Sequence, residues 1–242
     1  MCRGGVLKWR SMKTTRLKIE DMATLDPREV PMYWLSEVAL FTGVPASTMK
    51  RWTGQIAGCK PLIIPPPYEL QQQAHELRLS FANLLEAHIL DATRNHDIPV
   101  NQIRRGLEYL KQRSPRAAHP LLMTDFYSVP GTRQMFIRTI EGPVNISRHG
   151  QSALADILET HLKRIEWDRS GPIRLMPMRT DKVVIDLNVA GGQPVLKGTG
   201  VLASVLTGRW RAGDTEEELA TGYSLPLDDV RAAIRYIDAT AA

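Results

Sequence analysis

Ser47, Thr48, Lys50 and Arg51 follow one another closely, just after a Gly43-Val44-Pro45 break. Two hydroxyls and two cations on one short helix suit a polyanion. Hydroxyls and ammonium or guanidinium groups donate to phosphate oxygens, and an arginine also matches the O6/N7 edge of guanine. Ser47 and Thr48 are therefore candidates for phosphate or base contacts. Lys50 and Arg51 are candidates for phosphate, and Lys60 follows as a cation flanking the same groove. The alternative is a helical hairpin with a solvated basic end.

No other constellation reaches catalytic specificity. Asp156, Glu159, Glu166, Asp168 and Asp181 carry carboxylates, but their spacing makes no metal-binding pattern, and His161 lacks a second ligand at HExxH or finger spacing. His88 lies beside an apolar stripe and reads as a packed histidine, and His75 as a surface one. The chain has no GxSxG, P-loop or Rossmann pattern. Gly191-Gly192 and Gly198 to Gly200 are turn glycines. The expectation is a protein that is not an enzyme and uses no cofactor or metal. Cys2 and Cys59 are the only cysteines, too few for a Cys-rich zinc site. No run approaches the 18 apolar residues of a membrane span. The basic N-terminus lacks the apolar stretch of a secretion signal, so a reducing cytoplasm is expected.

The elements that must position these residues follow from periodicity. Ser36 is expected to cap a helix carrying Val38, Ala39 and Leu40. Gly43 supplies the tight turn, Val44 packs inward, and Met49 and Trp52 form the buried side of the second helix. A short strand over Leu62 to Ile64 is expected to build a wing, stopped by Pro65-Pro66-Pro67. Ser80 caps a helix to His96, with Phe81, Leu84, Leu85, Ile89 and Ala92 in one stripe. Val100, Ile103, Leu107 and Leu110 define the next helix, with Arg104, Arg105 and Lys111 off its stripe. These two stripes fit either a folded-back core or a dimer seam. Phe126–Val129 and Met135–Arg138 read as a hairpin around Pro130-Gly131. Gln151–Ile165 reads as a helix, and Ile173–Met176 and Val183–Ile185 as short strands.

The net charge is +5, with +6 over residues 1–120 and −1 over residues 121–242. The basic excess therefore travels with the first motif. The C-terminal stretch reads as three helices. The first spans Leu202 to Ala212, with Leu202, Val205 and Leu206 inward. Thr215 to Glu218 fits a capping box ahead of Leu219. After a glycine exit, Leu225-Pro226-Leu227 opens the last helix, buried through Val230, Ala233, Ile234 and Ile237. Glu216, Glu217, Asp228 and Asp229 make this module acidic where phosphate would sit, which favours packing or protein binding over DNA.

Three resemblances follow. The short first helix with its GVP turn resembles the winged-helix heads of MerR-like regulators. The spaced set Gly192, Pro194, Gly198, Thr199, Val201, Gly213, Thr215, Glu217, Glu218, Leu219, Ala220, Tyr223, Asp229, Val230, Arg231, Ala232, Ala233 and Tyr236 resembles a small prokaryotic domain-of-unknown-function family. Its members are commonly antitoxins of type II toxin–antitoxin modules, usually beside a PIN-domain ribonuclease toxin. That family usually has arginine after its Gly-Thr, where this chain has Gly200. The longer layout resembles the larger VapB-type antitoxins of actinobacteria.

The resemblance implies an antitoxin that binds its toxin and represses its own operon. Operator DNA would meet the N-terminal head, and the toxin would meet Glu216, Glu217, Asp228 and Asp229 by charge complementarity. A homodimer would place two heads on two half-sites. The alternative is a stand-alone MerR-like regulator with the middle region as sensor. The expected fold is mainly α with a small α+β middle. Its divisions are an N-terminal tail (1–30), a MerR-like winged helix-turn-helix head (31–77), a central helical pair (78–114), an α+β connector (115–182) and a C-terminal trihelical domain (183–242).

Overall fold

The computed structural model describes residues 25–71, 76–94, 100–113, 118–122, 126–128, 135–139, 142–145 and 161–238. Within them the fold is mainly helical with small antiparallel sheets. Strand β1 (Tyr33–Trp34) leads into α1 (Leu35–Thr42), a tight turn, and α2 (Ala46–Trp52). The helix starts two residues earlier than its sequence suggests. Trp34 occupies the cap position, and the Glu37 carboxylate reaches back to accept the Trp34 N–H at 2.8 Å. Ser36 therefore lies inside the helix. Glu37 does the capping because it stands at the third helical position, where a carboxylate reaches the cap amide and also faces the positive end of the helix.

The expected wing strand does not form. The N–H groups of Leu62 and Ile63 both donate to the Trp52 carbonyl, at 2.8 and 3.0 Å. The prolines on either side have no N–H to extend a ladder. Leu62 and Ile63 instead fill the core, and Ile64 is exposed.

Strand β2 (Arg78–Leu79) pairs antiparallel with β1, Tyr33 opposite Leu79, and so ties the head to the next helix. That helix, α3 (Phe81–Arg94), begins with a reciprocal cap. Asn83 N–H donates to Ser80 Oγ and Ser80 N–H to Asn83 Oδ1, both at 3.2 Å. It carries more than one buried stripe. Phe81 to Asp91 are all buried, including Asn83, Glu86 and His88. It is the central rod of the first core, which also takes Tyr33, Phe41, Met49 and Trp52 from the head. Helix α4 (Val100–Arg113) turns Leu107 inward and leaves Val100 exposed.

Beyond it, β3 (Phe126–Ser128) and β4 (Met135–Thr139) form the expected hairpin, Phe126 opposite Ile137. The Pro130-Gly131 turn lies outside the described residues. A third strand, β5 (Gly142–Asn145), joins β4 unforeseen. Of the helix expected over Gln151–Ile165, residues 151–160 lie outside the described set, and Ile165 opens a strand rather than ending a helix. That strand belongs to a four-stranded antiparallel sheet, β6 (Ile165–Asp168), β7 (Gly171–Leu175), β8 (Val183–Asp186) and β9 (Pro194–Leu196) in order. Arg174 bridges its neighbours in register, donating to Glu166 at 2.7 Å and to Asp186 at 2.6 and 2.7 Å.

The C-terminal helices are α5 (Ala203–Arg211), α6 (Glu216–Tyr223) and α7 (Leu227–Asp238). The Thr215 capping box forms as expected. Glu218 N–H donates to Thr215 Oγ1 at 3.1 Å, and Thr215 N–H donates to the Glu218 carboxylate at 2.8 Å. Gly222 stays helical, and Ser224 takes the left-handed exit at φ 54°. Leu206, Leu219, Val230, Ala233 and Ile234 make a second core with Val183 and Leu196 from the sheet. Val205 points to solvent, because α5 gives its inward side to Ala203, Leu206 and Thr207. The sheet thus supplies both cores, since Ile165, Leu175 and Ile185 belong to the first.

Candidate functional site

The turn between α1 and α2 sets the geometry of the basic residues. Gly43 takes φ +77°, a left-handed conformation open to glycine, and its N–H donates to the Ala39 carbonyl at 2.8 Å. Thr42 Oγ1 donates to the Val38 carbonyl at 2.7 Å. Val44 is buried, as its place between two helices requires. Helix α2 then divides by side. Met49 and Trp52 enter the core, while Ser47, Lys50 and Arg51 are exposed and Thr48 is half-buried. Lys50 and Arg51 fall in the last turn of the helix. Lys60 is exposed on the loop that follows, and the Arg104 guanidinium of α4 donates to its carbonyl at 2.5 Å. Among the described residues, Lys50, Arg51 and Lys60 make no ion pair. Their charge faces water.

The acidic C-terminal residues stand differently. Glu216 and Glu217 pair with Arg231 at 2.6 and 3.4 Å, and Asp229 pairs with Lys182 at 2.8 Å. Asp228 is exposed and, among the described residues, makes no ion pair. Arg209–Asp214 and Arg211–Asp238 pairs, at 2.5 and 2.7 Å, neutralise much of the remaining charge. The module is acidic in composition but largely self-paired at its surface.

Asp156 and Glu159 lie outside the described residues; the other carboxylates of the middle region have structural work. Glu166 holds Arg174. Asp168 accepts from Ser170 and Gly171 to close a turn, and Asp181 takes Arg164 at 2.7 Å. No cluster of three metal-ligating side chains occurs among the described residues. His88 is buried with its Nε2–H directed at the His161 carbonyl, 3.1 Å away. The two rings lie 4.9 Å apart. Burial, and next the neighbouring His161, push His88 down to about 3, so it stays neutral.

A cleft of about 580 Å³ opens between the N-terminal 3₁₀ turn Pro27–Glu29 and the β6–β7 turn, with Trp167 and Arg169 on its wall. Its floor is a charged network. Arg28 binds Asp26 at 2.6 and 2.8 Å and reaches the Ser170 carbonyl. His119 lies between two carboxylates, Nε2 2.8 Å from Glu29 and Nδ1 3.0 Å from Glu86; the second contact is off the N–H line. Burial alone would lower His119, but the carboxylates of Glu29 and Glu86 outweigh it and push it up to about 10. Burial raises the Glu86 carboxyl. These charges satisfy one another and serve the fold.

The residues that sequence reasoning passed over are those joining the ends of the chain. The Tyr33 hydroxyl donates to the Gly192 carbonyl at 2.7 Å, and the Tyr236 hydroxyl donates to the Phe41 carbonyl at 2.9 Å, both buried. Tyr236 had a signal. It lies in the last helix among the buried Val230, Ala233 and Ile234, and a buried tyrosine needs a partner for its hydroxyl.

Residues 183–237 match a family described as a protein of unknown function, DUF433. The chain is 30% identical over 233 residues to the candidate antitoxin VapB45 of Mycobacterium tuberculosis (strain ATCC 25618 / H37Rv). That match covers 87% of this chain and 95% of the relative. The crystal structure of Rv2018 from Mycobacterium tuberculosis superposes with a TM-score of 0.62 at 25% identity, over 85% of this chain and 97% of that one. Antitoxins are a non-catalytic class, and this chain is not an enzyme. Among the described residues no helix is long and apolar enough to cross a membrane. With a relative matched almost end to end at this identity, the chain belongs to the VapB-type antitoxin family.

Proposed function

We propose that the chain is the antitoxin of a type II module, masking a PIN-domain ribonuclease toxin by direct binding and repressing its own operon as a homodimer. The cations on the exposed side of α2, which make no ion pair among the described residues, carry the DNA reading. A helix after a tight turn, with Ser47 and Thr48 near its start and Lys50 and Arg51 beyond, presents donors to phosphate and base edges. Lys60 adds a flanking phosphate contact. Residues 31–77 serve as a MerR-like head, 78–114 as a helical pair, 115–182 as a connector and 183–242 as a trihelical partner module.

We place the toxin contact on the partner module. Asp228 is exposed there and makes no ion pair among the described residues. Glu216, Glu217 and Asp229 shape the face through Arg231 and Lys182. Support comes from the VapB-type relationship and from the contrast between open cations at one end and paired acids at the other.

The test is fluorescence anisotropy of the full chain with a labelled duplex from upstream of its own gene, titrated from 50 to 200 mM salt. Log affinity should fall linearly with log salt, with a slope near −0.9 for each phosphate engaged. Binding that ignores salt would remove the cationic reading.

A further inference from the structure

The last turn of a helix leaves carbonyls without a partner in the helix. In α1 the Phe41 carbonyl is one of these, and it borders the turn that aims α2. Its partner is the Tyr236 hydroxyl, 195 residues away on α7, at 2.9 Å in a buried contact. The Tyr236 ring is itself buried, and burial raises its hydroxyl further, so it remains a donor. A second group from the C-terminal half covers the same turn. The Arg179 guanidinium, on the loop between β7 and β8, lies against Gly43 so closely that a β-carbon there would collide with it. A third tie fixes the start of the head, where the Tyr33 hydroxyl donates to the Gly192 carbonyl and a β-carbon at Gly192 would meet that hydroxyl. Both ends of the α1 segment are therefore held by residues from beyond position 178.

We infer that the C-terminal module, together with the β7–β8 loop, is a positioning element for the head: Tyr236 caps the last turn of α1 and, with Arg179 over Gly43, fixes the turn that orients α2. Its meaning for DNA rests on the reading that α2 meets DNA, but the positioning itself is measurable without DNA. Tyr236 and Arg179 are positioning residues and touch no ligand.

Tyr236→Phe keeps the ring in the core and removes only the hydroxyl, leaving the Phe41 carbonyl without its donor. Amide hydrogen exchange of the full chain, read by mass spectrometry, should speed up about tenfold in peptides covering Phe41 to Met49, with peptides of α3 and α6 unchanged. Arg179→Ala changes an exposed side chain outside both cores and should speed the same peptides by about threefold. Unchanged exchange at the turn in both variants overturns the inference. So does a uniform acceleration across the whole chain, which would make Tyr236 a general packing residue. If Tyr236→Phe does not fold, Arg179→Ala decides alone.

On the labelled duplex, Tyr236→Phe should weaken binding about fivefold with an unchanged salt slope, because every cation is still present. A wild-type chain that binds no duplex would end the DNA reading while leaving the exchange result standing. A wild-type chain that binds, with exchange at the turn unmoved by either substitution, would end the positioning inference and leave the DNA reading intact.

Discussion

Replacing both Lys50 and Arg51 with alanine should lower affinity for the duplex by about 60-fold at 0.1 M salt and flatten the log–log salt slope by about 2. The size follows from counterion release. Each phosphate neutralised by a side-chain cation contributes roughly an eightfold gain at that salt, and two are removed. Both side chains are exposed and make no ion pair among the described residues, so their loss leaves nothing buried without a partner. Met49 and Trp52, the residues that hold α2, are untouched. Stability should therefore stay within about 0.5 kcal/mol of the parent. A loss of affinity with an unchanged slope would point to misfolding of the head. An unchanged affinity would move the DNA contact elsewhere.

His119→Ala should cost about 3 kcal/mol of folding stability at neutral pH, read as the shift in a urea midpoint. The imidazolium sits between Glu29 and the buried Glu86, and removing it leaves Glu86, among the described residues, with only the Asn83 amide at 3.1 Å. The dependence on pH gives the stronger test. His119 is held at about 10, above its ordinary 6.5. Its contribution is complete below about pH 6.5 and is lost as the pH rises through 10. The gap between wild type and His119→Ala should narrow steadily across that window. A gap constant from pH 6 to 10 would mean that the histidine acts by packing and not by charge.

How much of this was legible in the sequence depended on the range of the interaction. The Gly43-Val44-Pro45 turn, the Thr215 capping box and the inward side of α7 rest on contacts a few residues apart, and local spacing was enough to place them. Helix α3 shows where local pattern stops. Its stripe of Phe81, Leu84, Leu85 and Ile89 was readable. Burial of Asn83, Glu86 and His88 on its other sides was not, because it depends on Ile64, His119 and His161 arriving from elsewhere in the chain. Leu62 and Ile63 read as a strand by composition, yet the nearest acceptor for their amides was the end of α2. The basic set of the site was visible as residue types. Lys60 gained its fixed place only from Arg104, 44 residues on. The acids of the partner module were equally visible, but their cations, Arg231 and Lys182, lay outside any local pattern. Composition therefore overstated how much free negative charge the module shows.

The sheet β6–β7–β8–β9 has a practical consequence for any dissection of this chain. The family match begins at Val183, the first residue of β8. A fragment cut there keeps β8 and β9 but loses β7, which pairs with β8 through Arg174–Asp186 and Leu175–Ile185. Strand β8, buried at all four positions, would become an open edge with an apolar face, and edges of that kind recruit other chains. Such a fragment should self-associate on size-exclusion chromatography, whereas one beginning before Ile165 regains β7 and should associate less through that edge, with Ile165, Leu175 and Ile185 still stripped of their head partners. The sequence-defined family segment therefore begins inside a four-stranded sheet, at a strand that needs its neighbour from outside the segment.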